Sequence, residues 1–161
     1  MNKSLTIVYV CGNFMNFNWN NNYLLGIEDI DSQHHSFLNL IKKLNDVFQS
    51  VEDPKYVKKL IAEINAYAKY HFISEENFMY SINYPNIEEH RLEHLEILDV
   101  LSEKEIALSI NNFNEACEEI IAFLLKWFKS HTSLEDKQIA TFYFKNKVQI
   151  GDHSERNAEK S

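Results

Sequence analysis

Tyr67-Ala68-Lys69-Tyr70-His71-Phe72-Ile73-Ser74-Glu75-Glu76-Asn77-Phe78 is the stretch that decides how this chain folds. Tyr67, His71, Glu75 and Phe78 recur at steps of four and three, the interval that returns side chains to one face of an α-helix. The same stripe passes upstream through Ile64 and Leu60 and downstream to Ile82. Asp53-Pro54 starts it, since Asp caps a helix and Pro is tolerated at the first helical position. Asn83-Tyr84-Pro85 stops it, because the residue before a proline is disfavoured in helical geometry.

Three further segments carry the same period. The first runs from about Ser32 to Ser50, with His34, Phe37, Leu38, Ile41, Leu44 and Phe48 on its stripe. The third runs from about Asn86 to Ser109, with Ile87, His90, His94, Ile97 and Leu101, and ends at an Asn111-Asn112 turn. The fourth runs from about Phe113 to Ser133, with Ile120, Ile121, Leu124, Trp127, Phe128 and His131. A shorter helical piece from Gln138 to Val148 is expected to pack across the others. Only three Gly and two Pro in 161 residues argue against a turn-rich β domain. Short connections force neighbouring helices to run in opposite directions. The expected fold is all-α: an antiparallel up-and-down four-helix bundle over residues 15–148, with an irregular N-terminal arm and a short C-terminal segment. Residues 1–14, with a short apolar run too brief to span a membrane, read as an extension outside the fold, and residues 149–161 as a mobile polar tail.

A formal charge of −8 provides no phosphate-neutralising patch, so nucleic acid is not an expected partner. No basic amphipathic helix offers itself to a membrane surface. Cys11 and Cys117 lie far apart without metal-site spacing, and two free thiols suit a reducing, cytoplasmic setting.

The seven histidines carry the functional reading. A lone His on an apolar face is ordinarily a core residue with one hydrogen bond. Here every stripe contributes at least one: His34, His71, His90 with His94, and His131. Glu75 lies on the stripe one turn after His71. Each unpartnered polar group so buried costs about 1–3 kcal/mol, and charges cost more. The stripes hold too few Lys or Arg to satisfy them together, whereas a bound cation does so directly. His90-x-x-x-His94 and His71-x-x-x-Glu75 each set two donors one turn apart on one face. Asp136 stands five residues after His131, about 140° around a helix, and alone it reads as a surface carboxylate. The spacing predicts that the fourth helix unwinds after His131 so that Asp136 turns inward. His35, off the stripe, and His153, in the tail, receive no role.

Five imidazoles and two carboxylates exceed one ordinary site. Zinc prefers four ligands, and calcium and magnesium prefer oxygen. Imidazole with shared carboxylate suits a pair of iron ions. Two bridging carboxylates, five imidazoles and one bridging oxygen (oxo or hydroxo) leave one position of two octahedra open, where a diatomic ligand can bind.

The pattern resembles the hemerythrins, especially the single-domain bacterial ones. The matching text is Trp19, Gly26-Ile27-Glu28-Asp29-Ile30-Asp31-Ser32-Gln33-His34, His71-Phe72-Ile73-Ser74-Glu75-Glu76, Tyr84-Pro85, His90-Arg91-Leu92-Glu93-His94 and Trp127 through Asp136, roughly residues 17 to 140. The resemblance implies one iron held by His90, His94 and His131, a second held by His34 and His71 that keeps the open position, and Glu75 and Asp136 bridging them. It implies that molecular oxygen binds reversibly at the second iron. Many members of that family carry Leu where this chain has Phe128. Phe128 and Phe37, one turn after His34, are either ordinary core aromatics or the lining of an oxygen pocket.

Three functions compete. The first is an oxygen-binding protein for storage, delivery or sensing, not an enzyme. The second is an enzyme using the same centre on peroxide or nitric oxide, for which Tyr67 is the single interior candidate beyond the ligands. Imidazole richness favours the first, since ferritin-like oxidases use more carboxylate. The third is a structural bundle stapled by metal. The sequence does not select between a monomer and a homo-oligomer, nor name a reductant or partner protein.

Overall fold

The computed structural model describes residues 15–50 and 53–158, with side chains described as far as residue 147. Its described residues form a short 3-10 turn, Asn21–Tyr23, and four helices: α1 (Glu28–Ser50), α2 (Pro54–Ser81), α3 (Ile87–Ile110) and α4 (Phe113–Ala158). Each helix packs on its neighbour in sequence, and α4 closes the ring against α1. The fold is thus an up-and-down four-helix bundle, as the periodicity predicts. The expected extension, Cys11 included, lies outside the described residues.

The stops are set by local chemistry. The Asp53 side chain accepts from Lys55 N at 2.9 Å and caps α2. At its other end Asn83 adopts a left-handed φ of 53°, Tyr84 N–H donates to Met79 O at 3.0 Å, and Asn83 N–H donates to Tyr80 O at 3.2 Å. That pair of bonds closes the last turn and frees the chain to reverse at Pro85. Asn112 Oδ1 accepts from Asn114 N at 3.1 Å where α4 begins.

α1 starts at Glu28, earlier than the periodicity suggests. Asp31 reaches back to accept from Leu25 N at 2.7 Å and Gly26 N at 2.9 Å. Glu28, Asp29 and Asp31 also place negative charge on the helix's positive end. Gly26 takes φ +80°, open to glycine at little cost. The arm before it lies along the bundle. Tyr23 is buried with its ring edge-on to Phe128 at 5.4 Å, and Lys137 Nζ donates to Leu24 O at 2.6 Å.

α4 corrects two expectations. It neither unwinds after His131 nor restarts as a separate piece at Gln138; one helix runs to Ala158, through most of the expected tail. No Gly or Pro lies between Phe113 and Ile150 to break it. Its buried residues Leu124, Leu125, Phe128, His131, Thr132, Asp136, Ile139 and Ala140 form a wide sector, so His131 and Asp136, about 140° apart, both face inward. Ile139 and Ala140 pack against Met79 and Tyr84 and against Leu25, Ile27 and Ile30, covering the end of the bundle where the histidines lie.

Cys117 is a buried free thiol, and burial pushes its pKa up from 9.0 to about 11, with nearby Lys58 opposing. An unfolded chain releases this proton at lower pH than the folded one, so unfolding becomes easier as pH rises from 9.0 to about 11. Denaturant titrations across that range should show a stability loss in wild type that is shallower in Cys117→Ala.

Candidate metal centre

Each helix brings its share of the seven residues singled out above. His34 comes from α1, His71 and Glu75 from α2, His90 and His94 from α3, and His131 and Asp136 from α4. All seven are buried, and His34, Glu75 and Asp136 are 0% exposed. Six of them form two overlapping groups whose donor atoms lie within 4.8 Å of one another: Glu75 with His90, His94 and His131, and His34 with Glu75 and Asp136. Glu75 Oε2 stands 3.3 Å from His90 Nε2 and 3.2 Å from His94 Nε2. Asp136 stands 3.2 Å from His34 Nε2, 3.1 Å from His131 Nε2 and 3.5 Å from His90 Nε2. Both carboxylates therefore lie between two sets of imidazoles. His71 is outside both groups but beside His34, with ring centroids 4.8 Å apart. His35 is exposed and stacks on Trp19 at 3.9 Å. The side chain of His153 lies outside the described residues.

The charges follow from this crowding. Burial and the Asp136 charge push Glu75 upward, yet the close imidazoles of His90 and His94 hold it at about 2. Burial raises Asp136 too, but His131 and His34 pull it well below the usual carboxylate range. Burial lowers His131, and Asp136 overcomes this to raise it to about 9. His34 is raised in the same way, burial opposing and Asp136 prevailing. For His71 burial wins over the Glu75 attraction, and its pKa falls to about 4. The carboxylates are thus ionised and His71 is neutral, the protonation states in which these groups coordinate cations.

The orientation of the donors tests whether a cation fits. Of the five contacts that Glu75 and Asp136 make with imidazoles, only His90 Nε2 to Glu75 has the direction of a hydrogen bond. His34 Nε2, His94 Nε2, His131 Nε2, Glu75 Oε1 and both Asp136 oxygens are buried without a hydrogen-bond partner. They lie close to one another but do not point along each other's bonds, as lone pairs aimed at shared ions between them would not. Unpartnered, each would cost about 1–3 kcal/mol, which cations recover.

A second ring of contacts orients the imidazoles. His71 Nδ1–H donates to Gln33 Oε1 at 3.0 Å, and His94 Nδ1–H donates to Glu76 Oε1 at 3.1 Å. Glu93 Oε2 lies 4.0 Å from His90 Nδ1 and 3.9 Å from His131 Nδ1. With Nδ1 protonated, Nε2 offers its lone pair inward. Sequence reasoning assigned none of these three. Glu93 could have been found, since it lies three residues after His90. Glu76 acts across helices, so spacing along its own helix carries no sign of it. Aromatic rings close the walls: Phe72 stacks on His94 at 4.0 Å and Trp127 on His131 at 4.9 Å. Phe128 meets His34 edge-on at 6.0 Å, and Phe37 lies 6.3 Å from His71.

Comparison with known proteins agrees with this geometry. Residues 25–143 match the family described as the hemerythrin HHE cation binding domain. A bacteriohemerythrin of Campylobacter jejuni is 31% identical over 115 residues, covering 71% of this chain and 85% of its own. One from Clostridium acetobutylicum is 26% identical over 125 residues, covering 76% of this chain and 97% of its own. One from Stenotrophomonas maltophilia is 25% identical over 122 residues, covering 76% of this chain and 78% of its own. With its bundle, its buried donors and this match over most of its length, the chain belongs to the hemerythrin family.

Proposed function

We propose that this protein reversibly binds molecular oxygen at a non-haem di-iron centre and is not an enzyme. The observation that carries the reading is the position of the two carboxylates: Glu75 belongs to both donor groups, Asp136 stands 3.2 Å from His34 and 3.1 Å from His131, and each has unpartnered oxygen. His90, His94 and His131 would hold one iron, His34 and His71 the other, and the two carboxylates would bridge them. When bound, the iron pair with its bridging oxygen supplies the electrons and the open position that dioxygen needs. The similarity to bacteriohemerythrins supports the same reading.

The protein's own part is to hold and shield. Gln33 and Glu76 fix two imidazoles through Nδ1. Phe37 and Phe128, both 0% exposed, stand against His34 and His71 and would line the oxygen pocket, keeping water from the ligand. Tyr67, the interior group that left an enzymatic role open, donates its hydroxyl to Gln33 O at 3.2 Å. Its proton is thereby directed at the backbone. The reading extends to a cytoplasmic setting, consistent with a free thiol at Cys117.

Reduced, iron-loaded protein exposed to air should change its absorption spectrum and return under argon through repeated cycles. A spectrum indifferent to oxygen, or bleached in the first cycle, would refute the proposal. Removing iron, or His94→Ala, should lower Tm by about 10 °C or more, because several buried donors lose their partner at once; equal melting would contradict the buried-centre argument. Phe128→Leu opens space beside His34 and should speed oxygen binding and autoxidation several-fold in stopped-flow traces, at about 1 kcal/mol of stability. Unchanged rates would make Phe128 an ordinary core residue.

A further inference from the structure

The walls of the centre are uneven. His34, Glu75 and Asp136 are 0% exposed and His71 and His94 1%, whereas His90 is 5% and His131 4%. Both of the latter face the seam between α3 and α4, and each forms part of the floor of a surface depression there. One, of about 90 Å³, is lined by Glu89, Glu93, Glu135 and Gln138 above His90. The other, of about 280 Å³, is lined by Glu93, Glu96 and Glu135 beside His131 and Trp127. Glu93 and Glu135 border both. By contrast, the larger groove between α1 and α2 reaches Gln33 and is lined by none of the seven donors.

The chemistry of this seam is that of a cation path. Among the described residues, neither Glu89 nor Glu135 has a Lys or Arg within 4.0 Å; Arg91, the cation nearest Glu89 in sequence, pairs with Glu88, and Lys137, the one nearest Glu135, donates to Leu24 O. Glu93 lies within 4.0 Å of both His90 Nδ1 and His131 Nδ1, so it links the mouth to the rings. Behind those rings the His131 Nε2 and Asp136 oxygens are buried and unpartnered. The smaller depression has room for several waters, so a divalent ion can arrive there partly hydrated and exchange water for carboxylate. A cleft of one charge sign raises the local concentration of the opposite ion and its on-rate by about 10- to 1,000-fold.

We propose that Glu89, Glu93 and Glu135 form the route by which Fe(II) enters the centre through the α3/α4 seam, reaching the donors at the rim that His90 and His131 form. The route rests on the di-iron reading, but its test is separable. Full-length apoprotein is mixed with Co(II) in a stopped-flow spectrometer at low ionic strength. Glu89→Gln with Glu135→Gln should take up metal about tenfold more slowly than wild type, reaching the same two ions per chain. The difference should disappear in about 0.5 M salt, where screening removes steering. Glu103→Gln, on the exposed side of α3 about two and a half turns past His94, should load at the wild-type rate. Exchange of isotopically labelled Fe(II) into intact holoprotein, read by mass spectrometry, gives the same comparison without stripping the metal. Wild-type uptake rates in the double variant would overturn the route while leaving the centre intact. Wild type that binds fewer than two ions would overturn the di-iron reading itself.

Discussion

Two ionised carboxylates and five imidazoles are enclosed in one bundle end with almost no water contact, and the rest of the structure answers to that constraint. A charge moved out of water loses several kcal/mol of solvation. Among the described residues no buried Lys or Arg offsets it. The imidazoles do so in part, since the Asp136 charge raises the pKa of His34 and lifts that of His131 to about 9. That solution leaves Glu75 Oε1 and both Asp136 oxygens without hydrogen bonds. Cations between the two imidazole sets satisfy all of them together, which couples occupancy of the centre to stability of the fold.

The bundle divides its labour along its length. Toward the α1–α2 loop the core is aliphatic: Ile41, Leu44, Ile64, Ile120, Ile121 and Leu124 are all at most 1% exposed. Around the donors it turns aromatic, with Phe37, Phe72, Trp127 and Phe128 set against imidazole rings. Flat rings pack against flat rings and exclude water while leaving nitrogen lone pairs free. The exception is the α3/α4 seam, where Glu93 and Glu135 stand beside Trp127 and where His90 and His131 are the most exposed of the donors.

Much of this was legible in the sequence, for identifiable reasons. The step of three and four survives in every helix because one face of each is buried, and donor residues sit on that same face. Asp53-Pro54 and Asn83-Tyr84-Pro85 mark helix ends by rules that involve only neighbouring residues. Contacts between distant parts of the chain were less visible. The early start of α1 depends on Asp31 binding backward to Leu25 and Gly26. Asp136 was correctly turned inward but for the wrong reason, since a narrow stripe was assumed where α4 buries a wide sector. Gln33, Glu76 and Glu93 became meaningful only once the rings they orient had positions.

The central claim is that the donors converge on two ions, and anomalous diffraction at the iron edge from crystals of the iron-loaded protein tests it most directly. The account predicts two peaks roughly 3–4 Å apart, one beside His90, His94 and His131 and one beside His34 and His71, with Glu75 and Asp136 between. A single peak, or iron bound elsewhere with these side chains unmoved, would contradict it.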